Sequence, residues 1–74
     1  MVILLTARAD RGWVAGNNAK LRAVPETHSN VSVIDWEMLS ATCEGRCFYG
    51  DGIHLTQVGQ DFYASIIERV LVLP

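Results

Sequence analysis

The sequence predicts an α/β fold built on a parallel sheet. Two short β-rich apolar runs, Val2–Ala7 and Val31–Trp36, are separated by a stretch long enough for a helical crossover. The chain then closes on an amphipathic segment from about Gln57 to Leu71. The resulting order is strand, helix, strand, short helix or loop, Gly-rich turn, long helix. A right-handed crossover is expected between the strands.

Each element has a local reason. Val-Ile-Leu-Leu-Thr-Ala at 2–7 is apolar on both faces, the pattern of a strand covered on both sides. From Val14 to about Thr27 the chain reads as a helix, with Val14, Leu21 and Val24 turned inward. Pro25 lacks an N–H and ends that helix early or bends it. Val-Ser-Val-Ile-Asp-Trp at 31–36 is β-rich and half alternating. Asp35 stands at its end, where it assists a site or, more simply, caps the next turn. In the last helix Val58, Phe62, Ile66 and Val70 recur every four residues, and Tyr63, Ile67 and Leu71 widen the stripe. Trp36, Phe48 and Tyr49 read as core or pocket wall, and His28 as a solvated loop residue.

Composition excludes several classes. The net charge is −2 and the six basic residues are scattered, so no nucleic-acid partner is expected. The N-terminus lacks a basic region, and its apolar run is too short for a secretory signal. No segment approaches the roughly 20 apolar residues that span a bilayer. Half of the 74 residues are hydrophobic and only 19% are charged. A domain this small buries only about 60% of its unfolded surface. Two strands with one crossover also leave two sheet edges open. The chain therefore reads as a piece of a larger domain, with Met1 as an internal or misplaced start.

The chemistry concentrates in Gly50-Asp51-Gly52-Ile53-His54-Leu55-Thr56. A spacing of three lets a carboxylate and an imidazole leave one turn on the same side. Asp51 can then fix the tautomer of His54 and stabilise its protonated form, the acid and base half of a Ser-His-Asp site; the plain alternative is an Asp-Gly turn beside a solvated His. The glycines allow backbone angles that a side chain forbids, and Thr56 can cap the following helix. In open α/β sheets active sites gather beyond the carboxyl ends of the strands. This turn and the loop Arg8–Trp13 are both expected at that edge. Arg8, Arg11 and Trp13 are either substrate-facing or an ordinary solvated loop with Trp13 folded onto the helix. Cys43 and Cys47, with Glu44, Gly45 and Arg46 between them, leave three readings open: a short disulfide, two free thiols, or half of a metal site with His28 and His54.

Taken together, these residues resemble the C-terminal half of an SGNH (GDSL-like) hydrolase domain. The likeness is greatest to the extracellular SGNH domains fused to membrane acyltransferases, peptidoglycan O-acetyltransferases among them. It rests on Val2–Ala7, the loop Arg8–Trp13, Asn17 or Asn18, Val33-Ile34-Asp35-Trp36, and above all Tyr49 to Thr56, with Gly59 to Ile67 as the closing helix. The resemblance implies a fragment of a three-layer αβα domain over residues 1–74. In it Asp51 is the triad acid and His54 the general base, with no cofactor and no metal. It also implies an O-acyl ester of cell-surface carbohydrate, most simply an acetyl ester, and an extracellular or periplasmic location.

The Gly-Asp-Ser block that carries the family's nucleophile, and the Gly and Asn blocks of its oxyanion hole, have no match here. Ser29, Ser32, Ser40 and Ser65 lack that context. The expectation is therefore a chain inactive alone, partnered by the missing N-terminal half. The rival is a non-catalytic remnant or interaction module that pairs, or self-associates, through an open strand edge.

Overall fold

A computed structural model describes residues 1–43 and 45–72. It has the α/β class and the parallel pairing expected. Strands β1 (Val2–Leu5) and β2 (Val31–Ile34) form a two-stranded parallel sheet in the register Val2↔Val31 to Leu5↔Ile34. The ladder is extended at both ends: Val2 N–H donates to Asn30 O at 2.8 Å and Thr6 N–H to Ile34 O at 3.1 Å. Each strand has one edge with no strand partner among the described residues.

Helix α1 (Val14–Ala23) joins the strands and stops four residues short of the expected end. Pro25 has no N–H to continue the helical ladder, so the chain tightens into a 3₁₀ turn at Val24–Glu26. Val14 is buried and Leu21 and Val24 are half-buried, as expected. The most buried residue of α1, however, is Asn18, which is fully enclosed. Its amide accepts from Ala7 N–H at 2.8 Å and donates to Ala7 O at 2.7 Å. Asn18 thus takes the place of a neighbouring strand for the peptide just past β1.

The second strand ends two residues earlier than its composition suggests. At Asp35 the backbone turns (φ −82°, ψ 75°), and its carboxylate caps helix α2 (Trp36–Ser40) by accepting from Met38 N–H at 3.4 Å. Trp36 therefore opens a helix rather than closing a strand. A 3₁₀ turn, Ala41–Cys43, follows. Helix α3 spans Gln57–Val72.

The core is an aromatic cluster centred on Trp36, which is buried. Phe48 and Phe62 lie 6.1 and 5.7 Å away between centroids, and Tyr63 meets it edge-on at 4.8 Å. These contacts bind α2, α3 and the intervening segment together. Truncating such a Trp to Ala costs about 3–5 kcal/mol. Three expected core positions are solvent-facing: Tyr49, Val58 and Leu71. Four-residue periodicity marks a stripe but not its width, and α3 buries only the part that faces Trp36.

The molecule is a slab of 37 × 31 × 15 Å with a radius of gyration of 13.0 Å. A compact chain of this length has a radius near about 11 Å. Its accessible surface is 5215 Å², against about 4,500 Å² for a compact monomer of the same mass. The fold leaves more surface open than its size requires.

Candidate active site

Residues 47–56 form a small antiparallel hairpin between the disulfide loop and α3. Phe48 bridges Leu55, Thr56 N–H donates to Cys47 O at 2.9 Å, and Tyr49 N–H donates to His54 O at 2.9 Å. Its tip is a turn closed by Gly52 N–H donating to Tyr49 O at 3.0 Å. Gly52 sits at φ +67°, a conformation that side chains disfavour.

Asp51 organises that tip. One carboxylate oxygen, Oδ1, accepts from the backbone N–H of Ile53 at 2.9 Å and of His54 at 3.0 Å. The other, Oδ2, meets His54 Nδ1 at 2.5 Å. The imidazole bond and the two amide bonds together hold the Asp51 carboxyl at a pKa of about 2, so it is anionic near neutrality. A carboxylate only accepts, so Nδ1 carries the proton, and in the neutral imidazole Nε2 then keeps its lone pair. Nε2 has no hydrogen-bond partner among the described residues. The His54 side chain is 76% exposed. The structure therefore brings together the two residues the sequence singled out, bonded through Oδ2 and Nδ1.

The hairpin is anchored at its root. Thr56 Oγ1 donates to Arg46 O at 2.6 Å and accepts from Gly59 N–H at 3.1 Å, the expected cap of α3. Gly59 lies against the hairpin: a Cβ there would stand 2.1 Å from Cys47 O. Cys43 and Cys47 are bridged, which removes the free-thiol and metal-ligand readings of that pair. Glu44, between them, lies outside the described residues. The Arg8 guanidinium stacks over the Phe48 ring at 5.1 Å from its centroid. The loop after β1 thus reaches the hairpin, as the edge argument anticipates. Trp13 is exposed rather than folded onto α1.

Asp35 belongs to a separate network. Arg22 grips both of its oxygens, Nε to Oδ2 at 2.9 Å and Nη2 to Oδ1 at 2.8 Å, and also bonds Glu37. Thr6 Oγ1 donates to Asp35 Oδ1 at 2.8 Å and accepts from Glu37 N–H. The Arg22 guanidinium, with help from Thr6 and Met38, lowers the Asp35 carboxyl to about 2. This is the structural, capping role rather than assistance to the site. His28 is exposed and bonded to Thr27.

Among the described residues, no serine hydroxyl bonds His54. Ser40 and Ser65 donate to carbonyls of their own helices, Glu37 O and Phe62 O. Two shallow clefts, one beside the disulfide (Thr42, Cys43, Arg46, Val58, Phe62) and one on α1 (Asn17, Lys20, Leu21, Val24), include neither Asp51 nor His54. Both side chains are exposed. The close approach of Gly59 to Cys47 was not legible in the sequence. The signal for Gly59 was a glycine at the third helical position, where an acid or amide is usual.

No family model matches the chain, and no solved structure matches it. Among curated proteins it is similar to the peptidoglycan O-acetyltransferase OatA of Listeria monocytogenes, with 31% identity over 70 residues. The matched segment takes in 95% of this chain and 11% of that protein, so the similarity is to one small part of an O-acetyltransferase.

Proposed function

We propose that this chain supplies the acid–base half of an SGNH-type serine esterase or O-acyltransferase site, with Asp51 orienting His54 toward a serine carried by another segment. The observation that carries the reading is the carboxylate held by two backbone amides and turned onto Nδ1, which leaves Nε2 free and outward. The similarity to part of an O-acetyltransferase supports an acetyl ester of carbohydrate as the substrate class. The disulfide suits an oxidising, extracellular or periplasmic setting.

In this mechanism the serine hydroxyl attacks the ester carbonyl while Nε2 takes its proton. The imidazolium then returns that proton to the departing alcohol oxygen. Asp51 stays anionic throughout and stabilises the charged ring. Without the nucleophile and its oxyanion donors there is no covalent route, and each missing donor is worth roughly 10²–10³ in rate. The chain alone should not cleave a chromogenic acetyl ester faster than its His54→Ala variant.

Mixing or fusing the chain with the Gly-Asp-Ser-bearing N-terminal half of a related domain should restore cleavage. His54→Ala should then abolish most of it, and Asp51→Asn should lower it by up to about 10⁴. Equal turnover with alanine at position 54 would overturn the assignment. A second reading, a module that associates through its strand edges, is favoured by the open edges and the excess surface. It is distinguished by self-association without restored cleavage.

A further inference from the structure

The hairpin sorts its aromatic residues by face. Phe48 and Leu55 form a bridged pair, and Phe48 turns inward to Trp36. The next residues along each arm, Tyr49 and His54, are both exposed. The bond from Tyr49 N–H to His54 O fixes the two as cross-strand neighbours. Residues so paired have Cβ atoms about 4.5–5.5 Å apart. Tyr49 is 59% exposed, and its hydroxyl has no hydrogen-bond partner among the described residues. An exposed phenol and an exposed imidazole are thus carried by two residues joined through their backbones.

Resting on the carbohydrate-ester reading above, we propose that Tyr49 is a sugar-stacking residue that positions a pyranose ring beside His54. The physical basis is the electron-rich face of the phenol, which meets the polarised C–H bonds on the apolar face of a sugar. The hydroxyl end meanwhile remains in water. A rigid aromatic anchor loses little conformational freedom on binding, so one such residue can dominate a weak site. Stacked there, a ring substituent lies within reach of Nε2. Tyr49 is thus a specificity residue: it chooses what His54 meets and takes no part in the proton path.

The test uses the chain as it stands and needs no nucleophile. A β-1,4-linked N-acetylglucosamine tetramer is titrated into the isotope-labelled chain, and backbone amide shifts are followed by NMR. Saturable shifts confined to residues 48–55 are expected. Tyr49→Ala and Tyr49→Leu should each weaken binding about tenfold, the usual effect of removing an aromatic anchor. Tyr49→Phe should stay within about twofold of the parent. The leucine variant separates an aromatic face from mere apolar bulk. Unchanged α-helical signal in each variant shows that the fold is intact. The inference is overturned if no saturable binding occurs, if shifts map away from the hairpin, or if the leucine variant binds like the parent. Because the titration reads sugar binding alone, its failure leaves the His54 dependence of restored cleavage untouched, and the reverse also holds.

Discussion

Gly59→Ala sets two physical effects against each other, and the structure decides between them. On helix propensity alone, alanine in place of glycine in α3 is favourable by about 1 kcal/mol. The new Cβ would lie 2.1 Å from Cys47 O, 2.9 Å from its carbonyl carbon and 3.0 Å from its Cα. An ordinary carbon–oxygen contact is about 3.3 Å. Every atom in the way is backbone, so no rotamer change relieves the overlap. Helix and hairpin must part by about 1 Å. That separation strains or breaks the Thr56 N–H to Cys47 O bond, worth about 1 kcal/mol, and the Gly59 N–H to Thr56 cap, worth a similar amount. Overpacking adds about 1–3 kcal/mol. The net expectation is destabilisation by about 2–4 kcal/mol, a fall in Tm of about 10–25 °C for a chain of this size. Urea and thermal melts followed by Trp fluorescence and circular dichroism measure it, with Gly16→Ala in open space on α1 as the control. A Gly59→Ala protein as stable as the parent would refute the reasoning. It would mean that α3 does not press on the disulfide loop.

Acid should weaken the fold in a defined window. Asp35 and Asp51 both have lowered carboxyl pKa values of about 2, so their stabilisation is fully present above about pH 4 and is lost as pH falls through about 2. Urea midpoints taken from pH 6 down to 2 should fall mainly below 4, and Asp35→Asn should flatten that fall. Reducing the Cys43–Cys47 bridge, or replacing both cysteines with serine, should cost about 2 kcal/mol, the entropy of closing so short a loop. Oxidised and reduced melts compare directly, and a restored enzyme should keep its turnover more nearly than its stability. The isolated chain should self-associate, because its strand edges and part of its apolar surface are uncovered. Sedimentation showing a monomer with a sharp cooperative melt would contradict that expectation.

The sequence made the class and the dyad legible but not what holds them. Val2–Leu5 declared itself as an apolar run and Val31–Ile34 as a β-branched, half-alternating one, although β1 is half-buried at Ile3, Leu4 and Leu5 and exposed at Val2 rather than covered on both sides. Asp51 and His54 drew attention because three-residue spacing lets both side chains leave one turn on the same side, although an Asp-Gly turn beside a solvated His reads the same way in sequence. The Asp35 cap was legible, but Trp36 reads as a strand residue by its β propensity, and the capping bond to Met38 places it in a helix instead. Asn18 was invisible as a core residue: periodicity counts apolar side chains, whereas Asn18 is buried for its two hydrogen bonds to Ala7. Tyr49 read as core because an aromatic beside Phe48 gives no hint of which face each takes. That choice is made by the hairpin register, which depends on Cys47 and Thr56 as partners.

All three bonds to the Asp51 carboxylate come from residues within three positions along the chain. Such contacts cost almost no loop-closure entropy, and hairpins of this size close in about 1–10 μs. The parallel pairing of β1 with β2 must instead span the whole of α1 before any ladder bond rewards it. The Asp51–His54 contact is therefore expected early in folding, before the sheet forms. It also follows that the dyad is portable. Its geometry is written in one short stretch of chain, and only its address in the fold is set by distant residues.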